Sequence, residues 1–473
     1  MTTTSGPKKP PFASSPHGEP QQLLGLREAI AIIVGIVIGA GIFKSPSLVA
    51  QFVGSPEWLF IAWIVGGLVS LIGALCYAEL ATTYPHAGGD YHFLFRAYGR
   101  RIAFLFAWAR FSVITTGSIA LLAFVFGDYM SQILYLGAYS EALYALSAVI
   151  ALTLVNLRGV RTGAVTQVWL TTAQVVGLLL VILAGLLLLT RGLGVGVGDE
   201  VVIAPQVASA PGLAAFGLAM IFVLLTYGGW NEAAYISAEL YGDKRNMVRA
   251  LVLSIGLITT LYLLVNWAYL YGLGLEGMAT SNAVAADLMN VAFGRIGETL
   301  ISVTVAIASL TSLNATMIVG ARTNYAVGRD WRVLSFLGVW NSHGGTPRNA
   351  LLAQGALAVA LVMLAIAVRG GFATMVDFTA PVFWLFFLLA TTSLMVMRHR
   401  DPDRPRPFKV PLYPLLPLLF CSVCLYMLWS SLAYVRAGAL GGVGMLAIGV
   451  VLMFAVERRT QTTACAAERI KHL

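Results

Sequence analysis

Long apolar stretches separated by short polar segments run through almost the whole chain. Each stretch holds about 20 residues, the length at which a helix crosses the hydrocarbon core of a bilayer. The pattern predicts an all-α polytopic membrane protein with about twelve transmembrane helices. Their approximate limits are residues 28–50, 58–83, 102–127, 142–157, 165–190, 212–239, 249–273, 285–321, 349–368, 374–397, 412–435 and 439–456.

Polar residues are concentrated at the two ends of the chain. Residues 1–24 are rich in Pro, Ser, Thr and Gly and lack the apolar core of a signal peptide, which predicts a disordered cytoplasmic tail. We expect residues 25–456 to form the transmembrane domain and residues 457–473 to form a second cytoplasmic tail. The eighth apolar stretch is too long for one crossing, and we expect it to span mainly from Leu300 to Arg322.

The composition changes this picture little but excludes several classes of protein. Of the 473 residues, 58% are hydrophobic and 11% are charged, whereas about a quarter of the residues in soluble domains are charged. No room is left for an appended kinase, nucleotide-binding or DNA-binding module. Cys421 and Cys424 form a CxxC without a nearby His or second pair, and the histidines lack metal-ligand spacing. We therefore predict no enzyme, no metal site and no cofactor.

The basic residues fall mainly in alternate loops. If the N-terminus is inside, most of the 30 Lys and Arg residues lie on the cytoplasmic side. The positive-inside rule then predicts that both termini are cytoplasmic. We expect the protein to lie in the cell inner membrane. The net charge of +9 is explained by this orientation and by contact with anionic membrane lipids, so we predict no nucleic-acid partner.

Glycines interrupt two predicted spans, the first and the sixth. The first contains Gly39, Gly41 and Pro46, and the sixth contains the pair Gly228 and Gly229. Backbone that leaves helical geometry at membrane depth is tolerated where it lines a cavity, and two broken helices at corresponding places indicate a transporter binding site. The alternative is that these glycines only allow helices to pack closely.

Helix dipoles indicate what two such breaks would bind. Free N–H groups at the start of a half-helix favour a carboxylate, and free carbonyls at the end of a half-helix favour an ammonium. A zwitterionic α-amino acid fits both, with its carboxylate on the amides of residues 40–43 and its amine on carbonyls of residues 38–39 and 225–226. Trp230 either packs beside the break or closes over the substrate. The candidate substrate-binding residues are Ile38, Gly39, Ala40, Gly41, Ile42, Phe43, Leu225, Thr226, Tyr227, Gly228, Trp230 and Asn231.

Several local motifs resemble those of the amino acid-polyamine-organocation superfamily, most closely its L-type amino acid transporter branch. The resemblance implies a LeuT-type fold with two inverted repeats of five spans followed by two helices, and a substrate site between the first and sixth spans. It covers residues 24–456. The motifs are residues 39–43 (GAGIF), 227–231 (YGGWN), Glu239, 107–111 (AWARF), 312–315 (SLNA) and 404–411 (RPRPFKVP).

Two departures from the family pattern affect partners and coupling. Eukaryotic L-type carriers have a cysteine between the third and fourth spans that tethers a heavy chain, and residues 128–141 contain none. We therefore expect no disulfide-linked heavy chain. In the fifth span, many members of the family have a lysine that takes the place of a bound sodium ion. This chain has Gln174 instead, so the family pattern does not determine its coupling mechanism.

Ionisable residues at membrane depth are candidates for coupling or gating. Glu232 follows the second break and either exchanges a proton or faces an inner vestibule. Lys44 follows the first break, where we expect it to line an outer vestibule. For Arg110 in the third span, Glu79 is the nearest expected partner in depth. Glu239 ends the sixth span, either as an anchor for cytoplasmic arginines or as part of an inner gate.

These features predict a secondary transporter for L-amino acids that works by alternating access. Gly228 leaves that point of the break uncharged, which favours neutral substrates. The sequence leaves open whether transport is exchange or proton symport, and a cationic amino acid or polyamine remains an alternative substrate. An ion channel, the alternative from another class, would need repeated filter sequences, and no such repeat is visible.

Overall fold

The computed structural model shows a chain built from helices. Every regular element described is helical, which confirms the all-α prediction. The predicted tails, residues 1–24 and 457–473, lie outside the described residues. The structure describes residues 26–86, 88–158, 164–194, 210–233, 245–340, 346–368, 370–433 and 438–454.

The helices agree with the predicted crossings. Nine long helical segments among the residues described are apolar enough to span a membrane, and the broken first crossing, the broken sixth crossing and the last helix account for the remaining three. The chain is therefore an all-α, multi-pass membrane protein. In chain order, helices α1 to α16 are Leu26–Val37, Ser45–Val53, Pro56–Thr83, Gly89–Tyr98, Arg100–Ala109, Thr116–Ile133, Ser140–Leu157, Ala164–Arg191, Leu213–Thr226, Trp230–Ala233, Arg245–Thr280, Val284–Asp330, Arg348–Val368, Gly371–Arg400, Leu415–Ala433 and Gly438–Phe454.

The first crossing is interrupted where the sequence places its glycines. Helix α1 ends at Val37, a 3₁₀ turn covers Ala40–Phe43, and α2 begins at Ser45. Gly39 precedes the 3₁₀ turn in an extended conformation, and Pro46 occupies the first turn of α2, where a missing N–H costs no intrahelical bond. The chain therefore leaves helical geometry between two short helices of one crossing.

The sixth crossing is interrupted in the same way. Helix α9 ends at Thr226, and the short helix α10 begins at Trp230. Gly229 between them has a φ of 104°, a backbone conformation that side chains disfavour. The positive φ at Gly229 thus permits the break in the helix that separates the two pieces.

The long eighth stretch also bends at a glycine. Helix α12 has non-helical dihedrals at Gly294, with a φ of 64°. A separate shorter piece thus precedes the main crossing, as expected from the length of the stretch. In the third crossing a π-helical segment, Arg110–Thr115, joins α5 to α6. Such segments inside helices are rare and frequently occur at functional sites.

Packing brings the two broken crossings together in the middle of the bundle. The 3₁₀ turn of the first crossing contacts α9 and α12, and α1 contacts α10 and α11. Helix α6 packs on α7, α12 and α14, and α14 also contacts α3. We call the end of the bundle where α6 is followed by α7 the outer end, following the orientation predicted from the basic residues.

Candidate functional site

A cavity of about 340 Å³ lies between the two breaks. Its other walls are formed by the third crossing and by α14, with contributions from α3, α4 and α12. The volume falls at the lower end of the roughly 300–1,000 Å³ that is usual for small-molecule pockets. The space available therefore suits a small metabolite.

The first break presents backbone to this cavity. Gly39, Ala40 and Gly41 line it. At the start of a helical turn the first N–H groups have no intrahelical acceptor, so the amides at this point are available to an anionic group. The space beside Gly39 is open, because a Cβ there would have only the Val37 carbonyl oxygen within 4 Å. Without a side chain at this position, the backbone stays accessible from the cavity.

Three of the candidate residues from the first break lie outside the cavity wall. The side chains of Ile38, Ile42 and Phe43 are completely buried in the core. The carbonyl oxygen of Phe43 accepts a hydrogen bond of 2.7 Å from the hydroxyl of Tyr129 on α6. These residues thus hold the turn in the bundle, while their neighbours at 39–41 face the cavity.

The sixth break contributes Leu225, Thr226, Gly228 and Asn231 to the cavity wall, together with Gly229. Two other candidates there, Tyr227 and Trp230, have buried side chains that pack against other helices. The Tyr227 hydroxyl donates a hydrogen bond of 3.0 Å to the carbonyl oxygen of Trp63. The ring of Trp230 stacks on Phe387 at 5.6 Å and meets the rings of Tyr77 and Phe420.

The two breaks touch each other and share one hydrogen-bond donor. A Cβ at Gly41 would lie 3.5 Å from the Thr226 hydroxyl oxygen. The buried hydroxyl of Tyr262 on α11 lies 3.2 Å from the carbonyl oxygens of both Val37 and Thr226. One tyrosine thus holds the ends of α1 and α9 together, and the second lone pair of each carbonyl remains for another donor.

An aromatic wall on α14 completes the cavity, and the sequence did not reveal it. Phe383, Trp384, Phe386 and Phe387 line the cavity together with Phe106 of α5. The spacing of residues 383, 384 and 387 places them on one helical face. This spacing was the only feature of the sequence that could have indicated an aromatic wall. Helix α14 is apolar around most of its circumference, so periodicity alone could not show which face meets the cavity.

Two charged side chains line the cavity, Asp90 of α4 and Arg110 at the start of the π-helical segment. The expected pairing of Arg110 with Glu79 is wrong. The buried Glu79 accepts hydrogen bonds from Arg398, with Nε at 2.6 Å, and from the Val410 amide at 2.6 Å. Both partners belong to the end of α14 and the segment after it, which pack on the inner end of α3.

Lys44 is buried and does not line an open vestibule. Its side chain is 9% exposed, and its ammonium lies 2.8 Å from the carboxylate of Asp128 on α6. Gln174 on α8 donates a hydrogen bond of 3.1 Å to the hydroxyl of Ser312, which lines the cavity. Gln174 thus supports the cavity wall from behind.

Two of the coupling candidates cannot be placed. Glu239 lies outside the described residues. Glu232 belongs to α10, but its side chain is outside the part of the chain that the structure describes. Within the described residues, no group of three or more His, Cys, Asp or Glu side chains has the arrangement of a metal site.

Comparison with known proteins identifies the family. Residues 24–455 match the amino acid permease family model. The b(0,+)-type amino acid transporter 1 of Mus musculus is 32% identical over 420 residues, which are 87% of this chain and 83% of that protein. The large neutral amino acids transporter small subunit 2 of Homo sapiens is 31% identical over 418 residues, 86% of this chain and 76% of that protein. The fold and these similarities agree with the resemblance to L-type carriers, and the chain belongs to the amino acid permease family of membrane transporters.

Proposed function

We propose that this protein transports neutral L-amino acids across the cytoplasmic membrane by alternating access, with the substrate held between the two breaks. The single observation that carries the proposal is the cavity lined on one side by the backbone of residues 39–41 and on the other by residues 225–226 and 228–229. The amides of the first break suit a carboxylate, and the carbonyls at the end of α9 suit an ammonium.

The cavity wall supports a neutral substrate. Among its described residues, one side chain is acidic (Asp90) and one is basic (Arg110), so their formal charges cancel. A cationic amino acid or a polyamine would bring an uncompensated charge into a largely apolar space, which is unfavourable. The aromatic wall formed by Phe383, Trp384, Phe386 and Phe387 is suited to an apolar substrate side chain.

Two modes of transport fit this site. In exchange, the protein changes between its outward-open and inward-open states only when a substrate occupies the site. In proton symport, a titrating carboxyl group changes its protonation with each cycle, and Glu232 remains our candidate for that group. We expect no disulfide-linked partner subunit, because residues 128–141 contain no cysteine.

Uptake by proteoliposomes tests the proposal. A panel of labelled amino acids is offered to the purified protein, with and without internal amino acid and with and without a pH gradient. Saturable uptake of neutral amino acids, competed by one another, is expected. Stimulation by internal amino acid alone indicates exchange, and stimulation by an inward proton gradient indicates symport. Uptake of only cationic substrates would refute the neutral assignment.

A further inference from the structure

Exposed apolar side chains recur along one face of α12, on the main crossing that follows the bend at Gly294. They lie at helical spacing, and each is between 40% and 53% exposed. On a helix that crosses a membrane, an exposed apolar face of this kind meets the acyl chains of the lipids. The side chains concerned are Leu300, Val303, Ile307 and Val319.

The same face of α12 carries positive charge at its inner end. Arg322 is exposed and follows Val319 by three positions, and the exposed Arg329 lies two turns beyond Arg322. Both arginines therefore continue the lipid-facing side of the helix. Within the part of the chain that the structure describes, Arg322 makes no hydrogen bond or ion pair with another residue. Its guanidinium is thus available to a ligand from outside the protein.

The height of Arg322 along the helix matches the boundary of the hydrocarbon core. At about 1.5 Å per residue, α12 rises about 33 Å from Leu300 to Arg322. The hydrocarbon core of a bilayer is about 30 Å thick. When Leu300 lies at the outer boundary of the core, the Arg322 guanidinium therefore lies among the headgroups of the inner leaflet.

The side chain of Arg329 turns back toward the membrane. Its Nη1 donates a hydrogen bond of 3.3 Å to the hydroxyl of Tyr325, which is one turn nearer to the hydrocarbon core. This bond brings the Arg329 guanidinium closer to the level of Arg322. A guanidinium has five N–H donors, so the bond to Tyr325 leaves Arg329 with donors for an anion.

Two aromatic rings lie beside these arginines. The ring of Trp340 meets that of Tyr325 edge to face, with 5.1 Å between the ring centroids, and 43% of Trp340 is exposed. Trp340 follows a 3₁₀ turn, Arg332–Gly338, that packs on α12 and α13. Tyrosine and tryptophan are enriched at the membrane–water interface, where one part of the ring is in an apolar layer and the other is hydrated. The two rings therefore support the same depth for the inner end of α12.

The charge of this surface indicates which kind of headgroup it attracts. Asp330 is exposed next to Arg329 and offsets one of the two positive charges, which leaves a net charge of about +1. Arginine matches the geometry of a phosphate group with two parallel N–H bonds. An anionic phospholipid brings an uncompensated negative charge to the two guanidinium groups. A zwitterionic phospholipid also carries an ammonium, so it gains less from the same surface.

We propose that Arg322 and Arg329 bind the phosphate of an anionic phospholipid in the inner leaflet, with an acyl chain along Val319 and the rings of Tyr325 and Trp340 beside the headgroup. We call these five residues the α12 lipid site. The proposal rests on the multi-pass fold and on the predicted orientation of the chain. It does not depend on which substrate the protein transports, so the two proposals succeed or fail separately.

Native mass spectrometry of the purified full-length protein tests the α12 lipid site. The protein in detergent is titrated with dioleoyl phosphatidylglycerol or dioleoyl phosphatidylcholine, and the bound lipids are counted for the parent, Arg322→Gln, Arg329→Gln and the double variant. Arg295→Gln is the matched control, because it removes the same charge from an arginine that is 70% exposed near the other end of α12. Inorganic phosphate is added as a competitor, and the same spectra report the oligomeric state.

The parent should bind phosphatidylglycerol more tightly than phosphatidylcholine. Each arginine variant should weaken phosphatidylglycerol binding about fivefold, Asp330→Asn should tighten it, and Arg295→Gln should leave it unchanged. Equal affinity for both lipids, unchanged binding by the double variant, or an equal loss in Arg295→Gln would overturn the proposal. Displacement of the lipid by an equal concentration of inorganic phosphate would overturn it in favour of a plain anion site. A dimer that the double variant separates would overturn it in favour of a second copy of the chain on this face.

Discussion

Removing the negative charge of Glu79 should destabilise the protein strongly. Glu79 is fully buried near the inner end of α3 and binds two arginines, Arg398 directly and Arg406 with Nε at 3.6 Å. It also accepts the Val410 amide hydrogen, so one carboxylate joins α3, α14 and the segment after α14. Glu79→Gln keeps the size of the side chain but leaves buried guanidinium charge uncompensated.

The magnitude follows from the burial of the partners. The side chains of Glu79, Arg398 and Arg406 are 1%, 17% and 7% exposed, so solvent screens the interaction little. Removal of one partner of a buried pair costs about 3–5 kcal/mol. Because the glutamine oxygen still accepts one hydrogen bond, we expect about 3 kcal/mol, which is more than a hundredfold in the folding equilibrium.

Thermal melting in detergent, followed by fluorescence size-exclusion chromatography, measures this effect. Glu57 lies at the opposite end of the same helix and is exposed, so Glu57→Gln is the matched control and should melt as the parent does. The double variant Glu79→Gln/Arg398→Gln should recover part of the loss, because the buried positive charge is removed as well. An unchanged melting curve for Glu79→Gln, or a double variant no better than the sum of both losses, would refute the reasoning.

Three further predictions concern the substrate site. Gly41→Val and Gly228→Val should abolish uptake while the protein stays folded. Gly41→Ala should be tolerated better than Gly228→Ala, because a Cβ at Gly41 would lie at an ordinary 3.5 Å from Thr226, whereas a Cβ at Gly228 would lie 2.9 Å from the Leu225 carbonyl oxygen. Equal uptake by both alanine variants would contradict this difference. N-acetylated amino acids and amino acid amides should compete poorly with labelled substrate, and competition equal to that of the parent amino acids would show that the helix ends do not read both charges. Uptake should not depend on sodium, which is checked by replacing sodium with choline in the assay buffer. A sodium requirement would contradict this prediction and would indicate a sodium ion bound near Gln174.

The breaks could be predicted from the sequence because they depend on local chain properties. Glycine and proline determine where a helix can end at membrane depth, and the relevant residues are neighbours in the chain. The interruptions at Gly39 and at Gly229 occur where the sequence places them. The number of crossings was predictable for the same reason, since each depends on one apolar stretch.

Contacts between distant helices could not be predicted from the same signals. Depth in the membrane suggested Glu79 as the partner of Arg110, but depth does not determine which helix lies beside which. Glu79 is bound instead by residues more than 300 positions later in the chain. The aromatic wall was missed for a related reason, because an apolar helix gives no indication of which face meets a cavity and which meets lipid.

The buried ion pair of Lys44 and Asp128 is joined to the proposed substrate site through adjacent residues of two helices. Asp128 binds the side chain of Lys44, and the next residue, Tyr129, donates to the carbonyl oxygen of Phe43, the residue before Lys44. The same tyrosine oxygen accepts the amide hydrogen of Ala285 at 3.4 Å, in the first turn of α12. Release of Lys44 therefore loosens the end of the 3₁₀ turn whose start, at Ala40 and Gly41, faces the cavity. The ion pair thereby acts on the backbone that we propose holds the carboxylate of the substrate.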